Sequence, residues 1–337
     1  MEPLHGVDYR EAEADDWPAI GALIGRTPDE AAQLRRQLQQ GYDPWFAHVA
    51  TTVATTVPVA PGAGAPQRLA GVVVAGVPRG AGAAVAGEPG EQREVRVLWL
   101  EVAPSLRRQG IGTRLLELAL DDARAHGVRR AALLVDATQF EALALFRKLG
   151  FQIESETLAL VLGPEPARAV AGAQPEPEAG ATLRPLTLDD VPQLAGLLIE
   201  LGVERAARPH DDLTALTPSE VEYWLQQAPT VAYAAWEQRD PQTALGLAWA
   251  SRRRNDAVLR FIGVHDDARR RGIWRALLGA LVEGLARPPA AGGPGAGHAG
   301  RYRPLRAQLH DAGDEREFFR RIGFAAERIT YEMARSL

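Results

Sequence analysis

Apolar residues run or alternate through short segments rich in β-branched and aromatic side chains, and between these segments they recur at helical spacing. WFAHVAT, LAGVVVAGV and EVRVLWLEV predict three strands in the first half of the chain; VAYAAWEQ, ALGLAWAS and AVLRFIGV predict three in the second. A helix follows the third strand of each set, with Leu115, Leu116, Ala119, Leu120 and Ala123 on one face in the first half and Leu277, Leu278, Leu281 and Leu285 in the second. Each half then has one more strand, RRAALLV or PLRAQLH, and a helix that ends at a Gly-Phe pair. Before the strands, each half opens with a short strand, a helix whose Asp-containing start supplies an N-cap, and a second helical stretch. PVAPGAGAPQ, PRGAGAAVAGEPGEQRE and RPPAAGGPGAGHAGRYRP are too rich in Gly and Pro to be anything but loop, and the first two are expected to be mobile.

The two halves are a repeat. YREAEADDWPAIGALI resembles LRPLTLDDVPQLAGLL, which sets Arg10 opposite Arg184, Asp15-Asp16 opposite Asp189-Asp190, and Pro18 opposite Pro192. At the other end FRKLGF, residues 146–151, matches FRRIGF, residues 319–324. Between the copies, GPEPARAVAGAQPEPEAGA has no apolar period and is expected to be a linker. The expected organisation is an N-terminal domain over 1–162, a linker over 163–181 and a C-terminal domain over 182–337, each an α+β module. A chain of 337 residues fits two cores better than one.

Composition narrows the chemistry. With no cysteine there are no disulfides, thiolate metal sites or cysteine nucleophiles. The seven histidines are scattered without metal-ligand spacing, so no metal is expected. A formal net charge of −5 removes the general attraction that nucleic acid binding uses. No apolar run approaches membrane-spanning length, and the acidic start MEPLHGVDYREAEADDW does not read as a secretory signal, so a soluble cytoplasmic protein is expected.

The most informative stretch is LWLEVAPSLRRQGIGTRLLELAL, a strand, a tight turn and a helix in succession. Arg107, Arg108, Gln109, Gly110, Ile111 and Gly112, followed by Thr113, stand at the helix start. The unsatisfied N–H groups there carry partial positive charge and suit a pyrophosphate. Glycines let the backbone approach the oxygens, and arginines add charge-assisted bonds. This hexapeptide resembles the R/Q-x-x-G-x-G/A signature of the GNAT acetyltransferases, and the likeness extends over nearly the whole chain, twice.

That resemblance implies two tandem GNAT-like domains, each a mixed, mostly antiparallel sheet flanked by helices, with acetyl-CoA as cofactor. It implies that the backbone near Val102 pairs with the pantetheine arm where its strand splays from the next. Gln139 stands where the family often has an Asn that contacts the cofactor, and Phe146 where many members have a proton-donating Tyr. Phenylalanine cannot donate, and the second copy has Phe319 there. Glu101, between apolar Leu100 and Val102, is the candidate base for an amine, since burial would raise its pKa; the alternative is a salt-bridged or solvated strand-end carboxylate. Asp136 is a second candidate, or a turn residue. In the second copy the loop reads Arg269-Arg270-Arg271-Gly272-Ile273-Trp274, with Trp274 in the place of a small residue, so that copy is expected to keep the fold without conventional coenzyme A binding. The implied activity is transfer of an acetyl group to a primary amine of a small molecule or peptide, held by a variable segment such as GRTPDEAAQLRRQLQQGYDPWF, by direct attack in a ternary complex. The alternatives are a non-catalytic acetyl-CoA-binding or structural protein, and acylation at oxygen or with a longer acyl chain. Acceptor and oligomeric state are left open.

Overall fold

In this computed structural model the described residues are 6–53, 67–79, 93–172, 180–206, 217–227, 230–265, 272–287, 302–310 and 314–337. The segments PVAPGAGAPQ and PRGAGAAVAGEPGEQRE, for which mobility is expected, lie largely outside the described residues, as do most of the later Gly/Pro insertion and Arg269 to Arg271. The chain forms two compact units: residues 1–154 with 330–337, and residues 155–329.

The first unit contains β1 (Val7–Glu11), α1 (Trp17–Leu23), α2 (Pro28–Gly41), β2 (Tyr42–Val53), β3 (Gln67–Pro78), β4 (Glu94–Val102), α3 (Ile111–Ala125), β5 (Arg130–Asp136) and α4 (Phe140–Lys148). β6 (Gln152–Leu162) begins as this unit ends. The second unit continues with α5 (Pro164–Gly172), β7 (Ala181–Pro185), α6 (Ala195–Ala206), α7 (Pro218–Gln226), β8 (Thr230–Glu237), β9 (Ala244–Arg252), β10 (Ala257–Val264), α8 (Ile273–Ala286), β11 (Leu305–His310) and α9 (Asp314–Arg321); β12 (Ala325–Ser336) ends the chain. Every strand and helix read from the apolar pattern in the described residues is present.

The sheet of each unit is built the same way. In the first, β1, β2, β3 and β4 pair antiparallel, and β4 pairs parallel with β5. In the second, β7, β8, β9 and β10 pair antiparallel, and β10 pairs parallel with β11. The sixth strand in each case comes from the other half of the sequence and follows the Gly-Phe pair at which the expected order ends. β5 pairs antiparallel with the last strand of the chain, Tyr331 opposite Val135 and Met333 opposite Leu133. β11 pairs with β6, Leu305 opposite Leu162 and His310 opposite Thr157. The copies have exchanged their final strands, so neither expected boundary, 162 or 182, coincides with a unit boundary. The exchange carries Leu158, Leu160 and Leu162 into the core of the second unit, and Met333 into that of the first.

The expected linker over 163–181 is corrected as well. Its first part is α5, which puts Ala167, Val170 and Ala171 into the core of the second unit. These three stand at helical spacing, and the prolines at 164 and 166 fall in the first turn, where a missing N–H costs little.

The repeat noted at the start of each copy is a shared device. Asp16 accepts from Arg10 at 2.6 Å and from the Glu13 N–H at 2.7 Å. Asp190 pairs with Arg184 at 2.7 Å and accepts from the Thr187 N–H at 2.9 Å. The Arg10 hydrogen bond holds the Asp16 carboxyl below its ordinary pKa. For Asp190 burial pushes upward, but the bonds from Thr187 and Arg184 outweigh it and the net shift is downward.

Candidate active site

The sheet of the first unit is closed at one end and open at the other. β4 and β5 are in register only from Glu94–Arg130 to Val97–Leu133. At the closed end Arg130 Nε donates to Glu94 at 2.6 Å, and Arg130 also pairs with Glu154. Past Val97 the register of β4 on β3 slips by one residue between Val97 and Trp99, and a bulge of this kind turns a strand away from its neighbour. From there to Val102 the strand has no ladder partner on the β5 side, and on β5 Leu134 is 63% exposed. This is the splay expected beside Val102.

The turn after β4 leads straight into α3. Arg108 has φ 64 and Gly110 φ 85, both left-handed, and Gly110 is the N-cap. The first intrahelical bond runs from the Arg114 N–H to the Gly110 carbonyl at 3.0 Å. The N–H groups of Ile111, Gly112 and Thr113 therefore find no acceptor among the described residues. The Ile111 side chain is buried in the core and anchors the helix start.

Gly112 tests whether the site suits a pyrophosphate-bearing cofactor. A Cβ placed there would lie 3.5 Å from Val102 and 3.6 Å from Leu145, ordinary contact distances. The protein's own packing does not demand glycine, and glycine in a helix costs about 0.5–1 kcal/mol relative to alanine. Space is thus left between the end of β4, the start of α3 and α4, beside a row of unpartnered donors. These residues fit the group.

The two faces of β4 point to different surroundings. Leu100 and Val102 pack on the α3 side with Ile111 and Leu115, whereas Leu98 and Trp99 pack on the α1 and α2 side with Trp17, Leu34 and Trp45. Alternation sets Glu101 on the α1 and α2 side. The apolar burial expected for it is not found. Its side chain is 36% exposed, and Oε1 accepts from Arg107 Nη2 at 2.8 Å. Arg107 Nε also donates to the Val102 carbonyl, at 3.1 Å. This fork was not foreseen, because neither the loop motif nor the strand pattern places the Arg107 side chain.

The remaining expected residues are arranged as follows. Arg108 and Gln109 are exposed on the turn. Gln139 is exposed at the N-cap of α4 and accepts from the Leu143 N–H at 3.0 Å through its backbone. Asp136 takes the turn role, accepting from the Thr138 N–H at 2.9 Å and hydroxyl at 2.6 Å. Phe146 is 7% exposed and meets Phe151 edge-on at 5.9 Å, within the core of the first unit.

The second unit has the same frame with different contents. Gly272 has φ 69 and caps α8 as Gly110 caps α3, and β10 parts from β11 after Val258–Arg306. Two positions differ. Gly263, opposite Leu247, stands where Glu101 stands opposite Val72. A Cβ on it would lie 2.7 Å from Phe261 and 2.8 Å from Leu201, so that space is filled by apolar side chains. Trp274, in the place of Gly112, turns its indole onto Phe318, with centroids 5.0 Å apart. Aligning WLEV with FIGV would have exposed the loss of the carboxylate from sequence.

Residues 38–151 match the model of the acetyltransferase (GNAT) family. A stretch of 63 residues, 19% of this chain, is 40% identical to mycothiol acetyltransferase of Corynebacterium glutamicum (strain R), and spans 21% of that protein. Among solved structures, a GCN5-related N-acetyltransferase from Sphaerobacter thermophilus aligns over 98% of this chain and 95% of its own, with 19% identity and a TM-score of 0.55. A tandem GNAT protein from the clavulanic acid biosynthesis pathway aligns over 98% of both chains, with 15% identity and the same TM-score of 0.55. Likeness at these identities is one of fold. Among the described residues no helix is long and apolar enough to cross a membrane.

Proposed function

We propose, since residues 38–151 belong to the acetyltransferase (GNAT) family and both units have its fold, that the first unit is an acetyl-CoA-dependent N-acyltransferase that acetylates a primary amine by direct transfer. The observation that carries this is the loss of pairing past Val97–Leu133 immediately beside the unpartnered N–H groups of Ile111, Gly112 and Thr113. One opening accepts an extended arm; the other accepts its anionic end. The cofactor supplies the activated acyl group when bound.

The residues of the chain do the rest. The α3 N–H groups, with Arg107, Arg108 and Gln109 around them, hold the phosphates, and Val102 offers its backbone to the arm. Gln139, exposed at the head of α4, adds a polar contact to the cofactor, and Phe146 lies in the core of the first unit. Glu101, on the α1 and α2 side, takes the proton that the amine must lose before attack. The amine comes from a small molecule or peptide held on that side, where residues 25–46 form α2 and its flanks. The second unit keeps the fold and binds no cofactor in this manner, because Trp274 and Phe318 fill the place that Gly112 leaves open and Gly263 has no carboxylate.

The proposal is tested by thiol release from acetyl-CoA across a panel of amines, antibiotics, amino acids, polyamines and peptides. Turnover with any of them supports an enzyme. The second reading, a non-catalytic acetyl-CoA-binding protein, is favoured by Phe146, which lacks a proton for the leaving thiolate; tight binding without turnover on the whole panel would select it.

A further inference from the structure

Arg107 engages at once two groups that the proposed chemistry needs at liberty, the carboxylate of Glu101 at 2.8 Å and the carbonyl of Val102 at 3.1 Å. We propose that Glu101 and the cofactor phosphates compete for Arg107, so that arrival of the cofactor is what releases Glu101 toward the amine. This rests on the cofactor site proposed above and adds a coupling between its two halves. Arg107 thus has two partners in turn, Glu101 before the cofactor arrives and the phosphates after it.

Three observations carry the idea. The Arg107 side chain is 49% exposed, so about half of it is open to solvent and to an arriving anion. It stands directly before Arg108, whose left-handed φ of 64 turns the chain toward the start of α3, where the N–H groups await an anion. The pair it forms with Glu101 is an exposed one, worth a factor of about two to five in an equilibrium constant. A phosphate presents more charge than a carboxylate and matches the planar guanidinium fork, so it displaces Glu101. Before that happens the carboxylate is occupied, and an amine arriving first finds no free base. The second unit, with Gly263 in this position, has no carboxylate to release.

The test is a double-mutant cycle read by calorimetric titration with acetyl-CoA, on four full-length proteins: the unaltered chain, Glu101→Gln, Arg107→Ala and the double variant. Glu101→Gln removes the competitor and is expected to tighten binding by about two- to five-fold. Arg107→Ala is expected to weaken it, and Glu101→Gln is expected to change nothing further in that background. Unchanged or weaker binding in Glu101→Gln alone would overturn the proposal. So would equal tightening with and without Arg107, since that reports only the removal of a negative charge near the phosphates. If none of the four proteins binds acetyl-CoA, the cofactor site itself is wrong and the coupling falls with it; binding without coupling sinks the coupling alone. Both side chains are partly exposed, and unchanged melting temperatures without ligand confirm that each variant is folded.

Discussion

Gly112→Trp separates what the fold needs from what the cofactor needs. Trp274 already occupies the corresponding position of the second unit, where its indole packs on Phe318. At Gly112 the first atom of a side chain meets Val102 and Leu145 at 3.5 and 3.6 Å, without overlap. Replacing a helical glycine also recovers some backbone entropy, at most about 1 kcal/mol. The variant is therefore expected to melt within a few degrees of the parent. Its cofactor binding should fail. An indole in the cradle keeps an anion from the Gly112 and Thr113 N–H groups, and hydrogen bonds to a charged group are worth about 1.5–3 kcal/mol each. Losing two costs about 3–6 kcal/mol, a rise in Kd of more than a hundredfold. Melting with and without acetyl-CoA reads both effects together. At a ligand concentration of about 100 Kd the parent gains about 2.7 kcal/mol, and the variant at the same concentration should gain nothing measurable. A large fall in melting temperature without ligand would refute the packing argument, and a ligand-induced rise equal to the parent's would refute the cradle.

Three further outcomes follow from the structure. Glu101→Gln should lower turnover by about 10²-fold in steady-state assays; full activity at neutral pH would remove Glu101 from the mechanism. Met333→Ala and Leu160→Ala, each costing about 2–5 kcal/mol, should act across the sequence halves, the first raising hydrogen exchange in β5 and α3, the second in β11 and α8; effects confined to the half that carries each mutation would contradict the strand exchange. Asp16 and Asp190 both titrate below the ordinary carboxylate range in the folded chain, so each contributes stability that is present above about pH 4 and lost as pH falls through the folded pKa, on the order of 1 kcal/mol per pair. Acid melting of Asp16→Asn should be correspondingly flatter than that of the parent, and an identical pH profile would show that the Arg10 pair contributes nothing.

The repeat, the strand order within each copy and the helix-capping turn at Gly110 were legible because each rests on local pattern: period, turn residues and caps. The exchange of β6 and β12 was not. LGF and IGF are each followed by a strand, QIESETLALVL and AAERITYEMARS, and nothing local says whether Leu158 and Leu160 pack at home or in the other unit. The α5 helix hid for another reason: Ala167, Val170 and Ala171 are small, and the surrounding Pro, Gly and Glu outweighed their spacing in the composition. At the site, the tight turn into α3 could be read from its glycines. The partner of Glu101 could not, because it depends on where the exposed Arg107 side chain swings back after a three-residue turn at Pro104–Leu106.

The central claim is that one copy of the fold carries the cofactor and the other has filled its own site, and the stoichiometry of acetyl-CoA binding to the intact chain tests it most directly. Calorimetry should give about one tight site per chain, with the Arg269 to Arg271 stretch contributing at most weak occupancy at high cofactor concentration. Two equivalent tight sites would contradict the account.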